Sequence, residues 1–200
     1  MSRIMWCGAL AWLVLAQAAV GLAETMVLDG QGPGRTFEGL GGLSAGAGTR
    51  LLVDYPEPQR SQVLDYTIVG DAKWRNYEVA CDVYVEKKGY VALFGRIAGA
   101  HQAPVPQPPE GYWLKVDTQG HWELKEFDRT LAGGAVPFAA DRWHKLAMKF
   151  FGPKIFVRID GVEAQTAWAA KFDQGMAGVG SGWNNAMFDN FSVRPVSTLP

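Results

Sequence analysis

From residue 77 onward the chain is a succession of short runs in which apolar and polar positions alternate: YEVACDVYVE, YVALFGRIA, GYWLKVDT, HWELKEF, RWHKLAMKFF, KIFVRIDG and NFSVRPV. A period of two sends successive side chains to opposite faces, so each run predicts a strand with one face toward a core. Gly, Pro, Asp or Asn separates the runs, and no helix-period segment of useful length interrupts them. Asp160-Gly161 and Gln119-Gly120 predict hairpin turns, and HQAPVPQPPEG (101–111) predicts a Pro-rich exposed loop. The expected architecture is all-β, an antiparallel β-sandwich. There is no internal repeat and no coiled-coil heptad.

The preceding stretch breaks this pattern. In TRLLVDYPEPQRSQVLDY (49–66), Pro56 and Pro58 sit where a first helical turn tolerates them, and Val63 and Leu64 follow at helical spacing. From Thr67 the sequence turns β-branched and alternating, with no Gly/Ser linker between the two kinds of element. A helix entry is thus joined directly to a sheet.

Composition narrows the partners. The chain has 200 residues, 48% apolar and 20% charged, with a formal charge of −1, which suits one sizeable core. Without a Lys/Arg cluster it lacks the electrostatic footprint of nucleic-acid binding, so no nucleic acid is expected as partner. Met1 to Ala23 places Arg3 ahead of the apolar run GALAWLVLAQAAVGLA and ends in small residues, the pattern of a secretory signal peptide cleaved before Glu24. A membrane anchor is the alternative, but the run falls short of the roughly 20 residues that span a bilayer. Cleavage would remove Cys7 and leave no transmembrane segment. Cys81, alternating with Val79 and Val83, then reads as a buried apolar residue.

Candidate chemistry is sparse. Of the eight tryptophans, Trp74, Trp122 and Trp143 stand in strand contexts where large rings fill a core. Trp113, beside the Pro-rich loop, and Trp183, in the Gly-rich turn GSGWNNA, are expected in solvent as carbohydrate-binding rings. Asp71 in GDAKW and Asp189 in MFDNFSV flank the first and last sandwich strands. Carboxylates with backbone oxygens there suit a hard cation such as Ca2+, and equally suit plain turn capping. Asn190-Phe191-Ser192 is formally a glycosylation sequon placed in a strand, which argues against its modification.

Two stretches carry a resemblance to one family. Residues 27–66, VLDGQGPGRTFEGLGGLSAGAGTRLLVDYPEPQRSQVLDY, resemble the start of the mature galactocerebrosidases, glycoside hydrolase family 59. There a Gly-rich first barrel strand leads into a YPEP segment and the first barrel helix. Residues 67–194, through IVGDAKWRNYEVACDVYVE, GYVALFGRI, RWHKLAMKF and FDNFSV, resemble the same family's C-terminal lectin-like domain. The resemblance implies a concanavalin-type, lectin-like jelly roll at 67–196. Before it come the signal peptide (1–23) and a short orphan βα segment (24–66), with a deletion junction between Tyr66 and Thr67.

It further implies an activity, release of galactose from galactosylceramide in glycosphingolipid breakdown, located in the secretory pathway or lysosome. A lipid-presenting activator protein is an implied partner, and a metal that helps close the lectin-like domain an implied cofactor. Retaining glycosidases need two carboxylates about 5 to 5.5 Å apart, set here by barrel strands that have no counterpart in this sequence. A non-catalytic chain is therefore expected: a lectin-like binder of galactolipid or other carbohydrate, or a truncated product without activity.

Overall fold

In the computed structural model the described residues are 26–28, 38–40, 65–99, 108–182 and 184–197. Among them, thirteen strands form two antiparallel sheets. The strands are β1 (Met26–Leu28), β2 (Glu38–Leu40), β3 (Asp65–Val69), β4 (Tyr77–Val85), β5 (Tyr90–Gly99), β6 (Glu110–Asp117) and β7 (His121–Glu126). They continue with β8 (Arg129–Ala135), β9 (Trp143–Phe151), β10 (Lys154–Ile159), β11 (Val162–Trp168), β12 (Met176–Ser181) and β13 (Ala186–Pro195). A six-stranded sheet runs β1-β13-β4-β9-β10-β11, and a seven-stranded sheet runs β2-β3-β12-β5-β6-β7-β8. The expected all-β sandwich is observed.

Alternation decides what lies between the sheets. On β4 the buried set is Tyr77, Val79, Cys81, Val83 and Val85; on β9 it includes Leu146, Met148 and Phe150. These meet Val91 and Leu93 of β5, and Tyr112, Leu114 and Val116 of β6, in one continuous cluster. Burying each such side chain stabilises the fold by about 1.5–3 kcal/mol before conformational entropy is counted. Trp74 and Trp122 join this core as expected, Trp122 from β7 and Trp74 from the turn between β3 and β4 rather than from a strand. Cys81 is buried too, with burial, then the adjacent Asp82 carboxylate, pushing its thiol well above the usual range. It is an inert core residue.

Two polar hubs fix the sandwich ends. Arg96 sits at a bulge in β5 with φ 51°, almost fully buried. Its guanidinium donates to the carbonyls of Arg75 (3.2 and 3.1 Å) and Phe172 (3.2 Å) and lies 5.1 Å from the Phe150 ring centroid. Its backbone N–H donates to the Tyr77 hydroxyl, which donates in turn toward the carbonyls of Gly175 (3.1 Å) and Met176 (3.0 Å). Gly175 is required there, because at φ 147° an added Cβ would stand 2.4 Å from the Arg96 carbonyl carbon. The second hub is His144, whose Nδ1 lies 2.7 Å from the Asp160 carboxylate while its ring stacks on Phe138 at 4.0 Å. Asp160 opens the β10–β11 turn with φ 50° and is followed by Gly161 at φ 80°, the doubly left-handed geometry that Asp-Gly favours.

Within 24–66 the described residues are two short strands and the first two residues of β3. β1 adds to the six-stranded sheet against β13, and β2 adds to the seven-stranded sheet against β3. The join expected between Tyr66 and Thr67 falls inside β3. The helix expected after Pro56, the signal segment and most of the Pro-rich loop lie outside the described residues.

Candidate functional site

Each sheet has an outer face as well as a core face, and the two outer faces differ. On the seven-stranded sheet the positions alternating with the core residues are Ile68, Ala92, Phe94 and Trp113, which with Ile97 form a second buried cluster flanked by Tyr66, Tyr90 and Met176. Trp113 was expected in solvent. The alternation does turn it outward, but it is only 8% exposed. Its ring lies against Phe94 at 6.1 Å between centroids and 24° between planes, with the Lys125 ammonium 5.4 Å from its centroid. Its indole N–H donates to the Phe127 carbonyl at 2.7 Å. Apolar neighbours and a satisfied indole make Trp113 a packed residue rather than an open platform.

On the six-stranded sheet the alternation does the reverse. Trp143, expected in the core, is 48% exposed. In β9 the core takes His144, Leu146, Met148 and Phe150, which leaves Trp143, Lys145 and Lys149 on the outer face. The sheet register sets Trp143 opposite Tyr84 of β4, and Tyr84 opposite Met187 of β13, which is 38% exposed. The Tyr84 and Trp143 rings lie 5.6 Å apart at 49°. Tyr84 donates its hydroxyl to the Asp141 carboxylate, and that hydrogen bond, more than any burial, pushes the phenol above its ordinary range. Asp141 is held at φ 61° by its own N–H, which donates to the Val85 carbonyl at 2.8 Å.

One pleat along, a polar row crosses the same three strands. Asp189 of β13 faces Asp82 of β4, which faces Lys145 of β9. Asp82 accepts a hydrogen bond from the Asn190 side-chain amide at 2.7 Å, and its other oxygen lies 3.7 Å from the Lys145 ammonium. Asn190 occupies a bulge of β13 at φ 50° with its side chain exposed. At the far end of the sheet, Trp168 is 68% exposed beneath the Lys154 ammonium, 5.0 Å from its centroid. The Trp143–Tyr84–Met187 row, beside a row of hydrogen-bonding groups, can hold a ligand with one apolar face and a polar rim.

Trp183 lies outside the described residues. Asp71 and Asp189 are described and are not brought together. Asp71 lies in the turn before Tyr77 and accepts a hydrogen bond from the Lys73 backbone N–H at 2.8 Å, the turn-capping role. Asp189 stands opposite Asp82, about 17 Å further along β4, and caps the Asn190 N–H at 2.7 Å. Calcium takes 6–8 oxygens within about 2.6 Å, so these two carboxylates do not share one ion in this fold. Among the described residues, no three or more His, Cys, Asp or Glu side chains group as a metal site. No helix among them is long and apolar enough to cross a membrane.

The residues that sequence reasoning missed are Tyr84, Trp143, Met187 and the Asp82–Lys145 row. The signal was the parity of RWHKLAMKF, in which Trp143 alternates in step with Lys145 and Lys149.

Known proteins agree with this architecture. Residues 59–196 match the model of the galactocerebrosidase C-terminal lectin domain, and residues 37–73 match that of glycosyl hydrolase family 59. The galactocerebrosidase of Salmo salar is 64% identical over 47 residues, 22% of this chain and 7% of that protein. That of Homo sapiens is 62% identical over 39 residues, 19% of this chain and 6% of that protein. The matched stretch is thus a small part of the length of those relatives. Among solved structures, carbohydrate-binding module CBM66 from Bacillus subtilis aligns with a TM-score of 0.56 at 16% identity, covering 66% of this chain and 82% of that one. The exoplasmic/lumenal domain of VIP36, in its Ca2+/Man-bound form, aligns with a TM-score of 0.54 at 12% identity, covering 82% of this chain and 84% of that one. At such identities these two likenesses establish the fold alone. The lectin-domain match covers more than half of the chain, which therefore belongs to the galactocerebrosidase family through that domain.

Proposed function

We propose that this chain is a lectin-like module that binds galactosyl lipid or related carbohydrate without hydrolysing it. The observation that carries the reading is the outer face of the six-stranded sheet, where exposed Trp143, half-buried Tyr84 and exposed Met187 adjoin a row of charged and amide groups. Apolar sugar faces stack on rings, and sugar hydroxyls pair with carboxylate, ammonium and amide groups.

The non-hydrolytic part rests on size and placement. Among the described residues the strands from Asp65 to Pro195 belong to the sandwich, and the hydrolase match is confined to 37–73. Eight βα units need about 250 residues, so the remainder of these 200 is too short to hold the barrel that sets a catalytic carboxylate pair. Glu123, on the outer face of β7, pairs with the Thr130 hydroxyl at 3.4 Å and has no place in such a pair. Galactosylceramidase activity, a lysosomal or secretory location and a lipid-presenting activator protein are what the family as a whole implies; of these, the proposal for this chain carries over the location and the activator, and not the hydrolysis.

The test has two arms. Purified chain is incubated with galactosylceramide and with a chromogenic β-galactoside, and galactose release should equal the buffer blank. The same protein is floated with galactosylceramide vesicles and with phosphatidylcholine vesicles. It should rise with the first alone, because many weak contacts on one surface add to a stable attachment. Turnover surviving purification would overturn the non-hydrolytic reading. Failure to float would overturn the lectin reading and leave a truncated product without activity as the better account.

A further inference from the structure

We propose that Trp143 and Tyr84, with Asp82 and Lys145 one pleat away, form a subsite for a terminal galactopyranose displayed on a lipid surface. The inference rests on the lectin reading above and gives it a location.

Elsewhere on the outer face of the six-stranded sheet charge dominates or an ammonium lies over the ring: Arg158 pairs with Glu78, Lys149 lies over Phe156 at 5.3 Å and Lys154 over Trp168 at 5.0 Å. Against that background, a tryptophan 48% exposed and a methionine 38% exposed, aligned with Tyr84 across three neighbouring strands, form a concentrated apolar patch. The patch is preorganised. Tyr84 is tied through its hydroxyl to Asp141, whose left-handed backbone is itself pinned to Val85, so the ring beside Trp143 is held rather than free to rotate away. Ordering such rings on binding therefore costs little entropy.

The polar row decides what fits. Same-face neighbours two residues apart on a strand stand about 6.6 Å from each other, so a sugar stacked on the Trp143–Tyr84 row reaches the Asp82–Lys145 row with its rim. Each oxygen of the Asp82 carboxylate can accept more than one hydrogen bond, so capacity remains beside the Asn190 amide. Lys145, whose ammonium lies 3.7 Å from Asp82, has donors to spare. A hydroxyl pair that donates to the carboxylate and accepts from the ammonium completes both groups. Galactose suits this arrangement: its axial hydroxyl at C4 leaves the hydrogens of C3, C4 and C5 on one face, a continuous apolar patch for the ring, with the hydroxyls turned to the polar row. Glucose, with its C4 hydroxyl equatorial, presents a more broken face.

Vesicles containing galactosylceramide, glucosylceramide or phosphatidylcholine alone serve as probes for wild-type chain and three variants. Trp143→Ala should lose about tenfold or more of the galactosylceramide binding, amplified by multivalent display. Asp82→Asn, which keeps the shape of the side chain and removes its charge, should weaken binding by a smaller factor, and glucosylceramide should bind less than galactosylceramide. Trp168→Ala, which removes a still more exposed ring at the far end of the sheet and outside the Trp143–Tyr84 row, should bind as wild type does. If wild type binds and both Trp143→Ala and Asp82→Asn bind undiminished, the subsite is overturned while the lectin reading stands. If wild type does not bind galactosylceramide vesicles, the lectin reading itself fails and the subsite with it.

Discussion

Trp113 and Trp143 stand in nearly the same local sequence, each on a strand and each two residues before a lysine, yet the first is 8% exposed and the second 48%. Both project from the outer face of their sheet. What separates them is the neighbours that the register brings alongside. Trp113 meets Phe94 on β5, and Ile68, Ala92 and Ile97 complete an apolar layer around it. Trp143 meets Tyr84, with Asp82, Lys145 and Asn190 just beyond. Alternation tells which face a side chain takes, and only strand pairing tells whether that face is dry.

Truncation tests this contrast most strongly. Trp113→Ala removes a packed indole and should cost about 3–5 kcal/mol of unfolding free energy, whereas Trp143→Ala, on an open surface, should change it by no more than about 0.5 kcal/mol. Urea titration of both variants measures the difference, and equal losses would erase the distinction between the faces. Trp113→Phe sharpens the point. It keeps a ring beside Phe94 but abandons the indole bond, leaving the Phe127 carbonyl without that donor, for a loss of about 1–3 kcal/mol.

The same contrast holds for two tyrosines. Tyr77 is pushed up chiefly by burial, against a smaller opposing effect of its bond from Arg96, while exposed Tyr84 is pushed up by its bond to Asp141. A phenol whose ionisation is raised in the folded state contributes stability that is complete below the unfolded value of 10.0 and is lost as pH climbs toward the folded value. Thermal melts from pH 9 upward should therefore show a stability loss that begins near that unfolded value. Tyr77→Phe should flatten the loss at the expense of the Arg96 hub, and Tyr84→Phe should scarcely alter it. Equal effects from the two substitutions would mean that burial is not what distinguishes them.

Much of the architecture was legible because it rests on local rules. Seven alternating runs, Asp160-Gly161 and the turn at Gly120 all reappear as strands and tight turns, since period-two patterning and left-handed Gly or Asp positions are properties of short segments. The site was less legible. Ring size and a strand context together point Trp143 to the core, although the parity of KLAMKF puts it on the opposite face. Nothing local could reveal the Asp189–Asp82–Lys145 row, because it spans three strands contributed by residues 189, 82 and 145, and only the sheet order β13-β4-β9 aligns them. The pairing of Asp71 with Asp189 failed for the complementary reason. Asp71 leads into β4, which does neighbour β13, but the register sets Asp189 opposite Asp82 and Pro195 opposite Tyr77, so the two carboxylates stand at different levels of the pair.

That separation yields the smallest effect and a direct check on the register. Substitutions more than about 10 Å apart with no shared partner add to within about 0.5 kcal/mol, and some 17 Å of strand lies between the level of Asp189 and the Tyr77 end where Asp71 sits. Asp71→Asn should weaken one turn cap and Asp189→Asn should disturb the bulge at Asn190, each modestly, with the double variant equal to their sum. The four proteins are melted with calcium and with chelator. A calcium-dependent rise in midpoint carried by one ion between both carboxylates would vanish in either single variant and fall no further in the double. Independent behaviour would confirm that the two carboxylates serve separate ends of the sandwich, leaving Asp189 with the polar row of the exposed face and Asp71 with the turn that leads into β4.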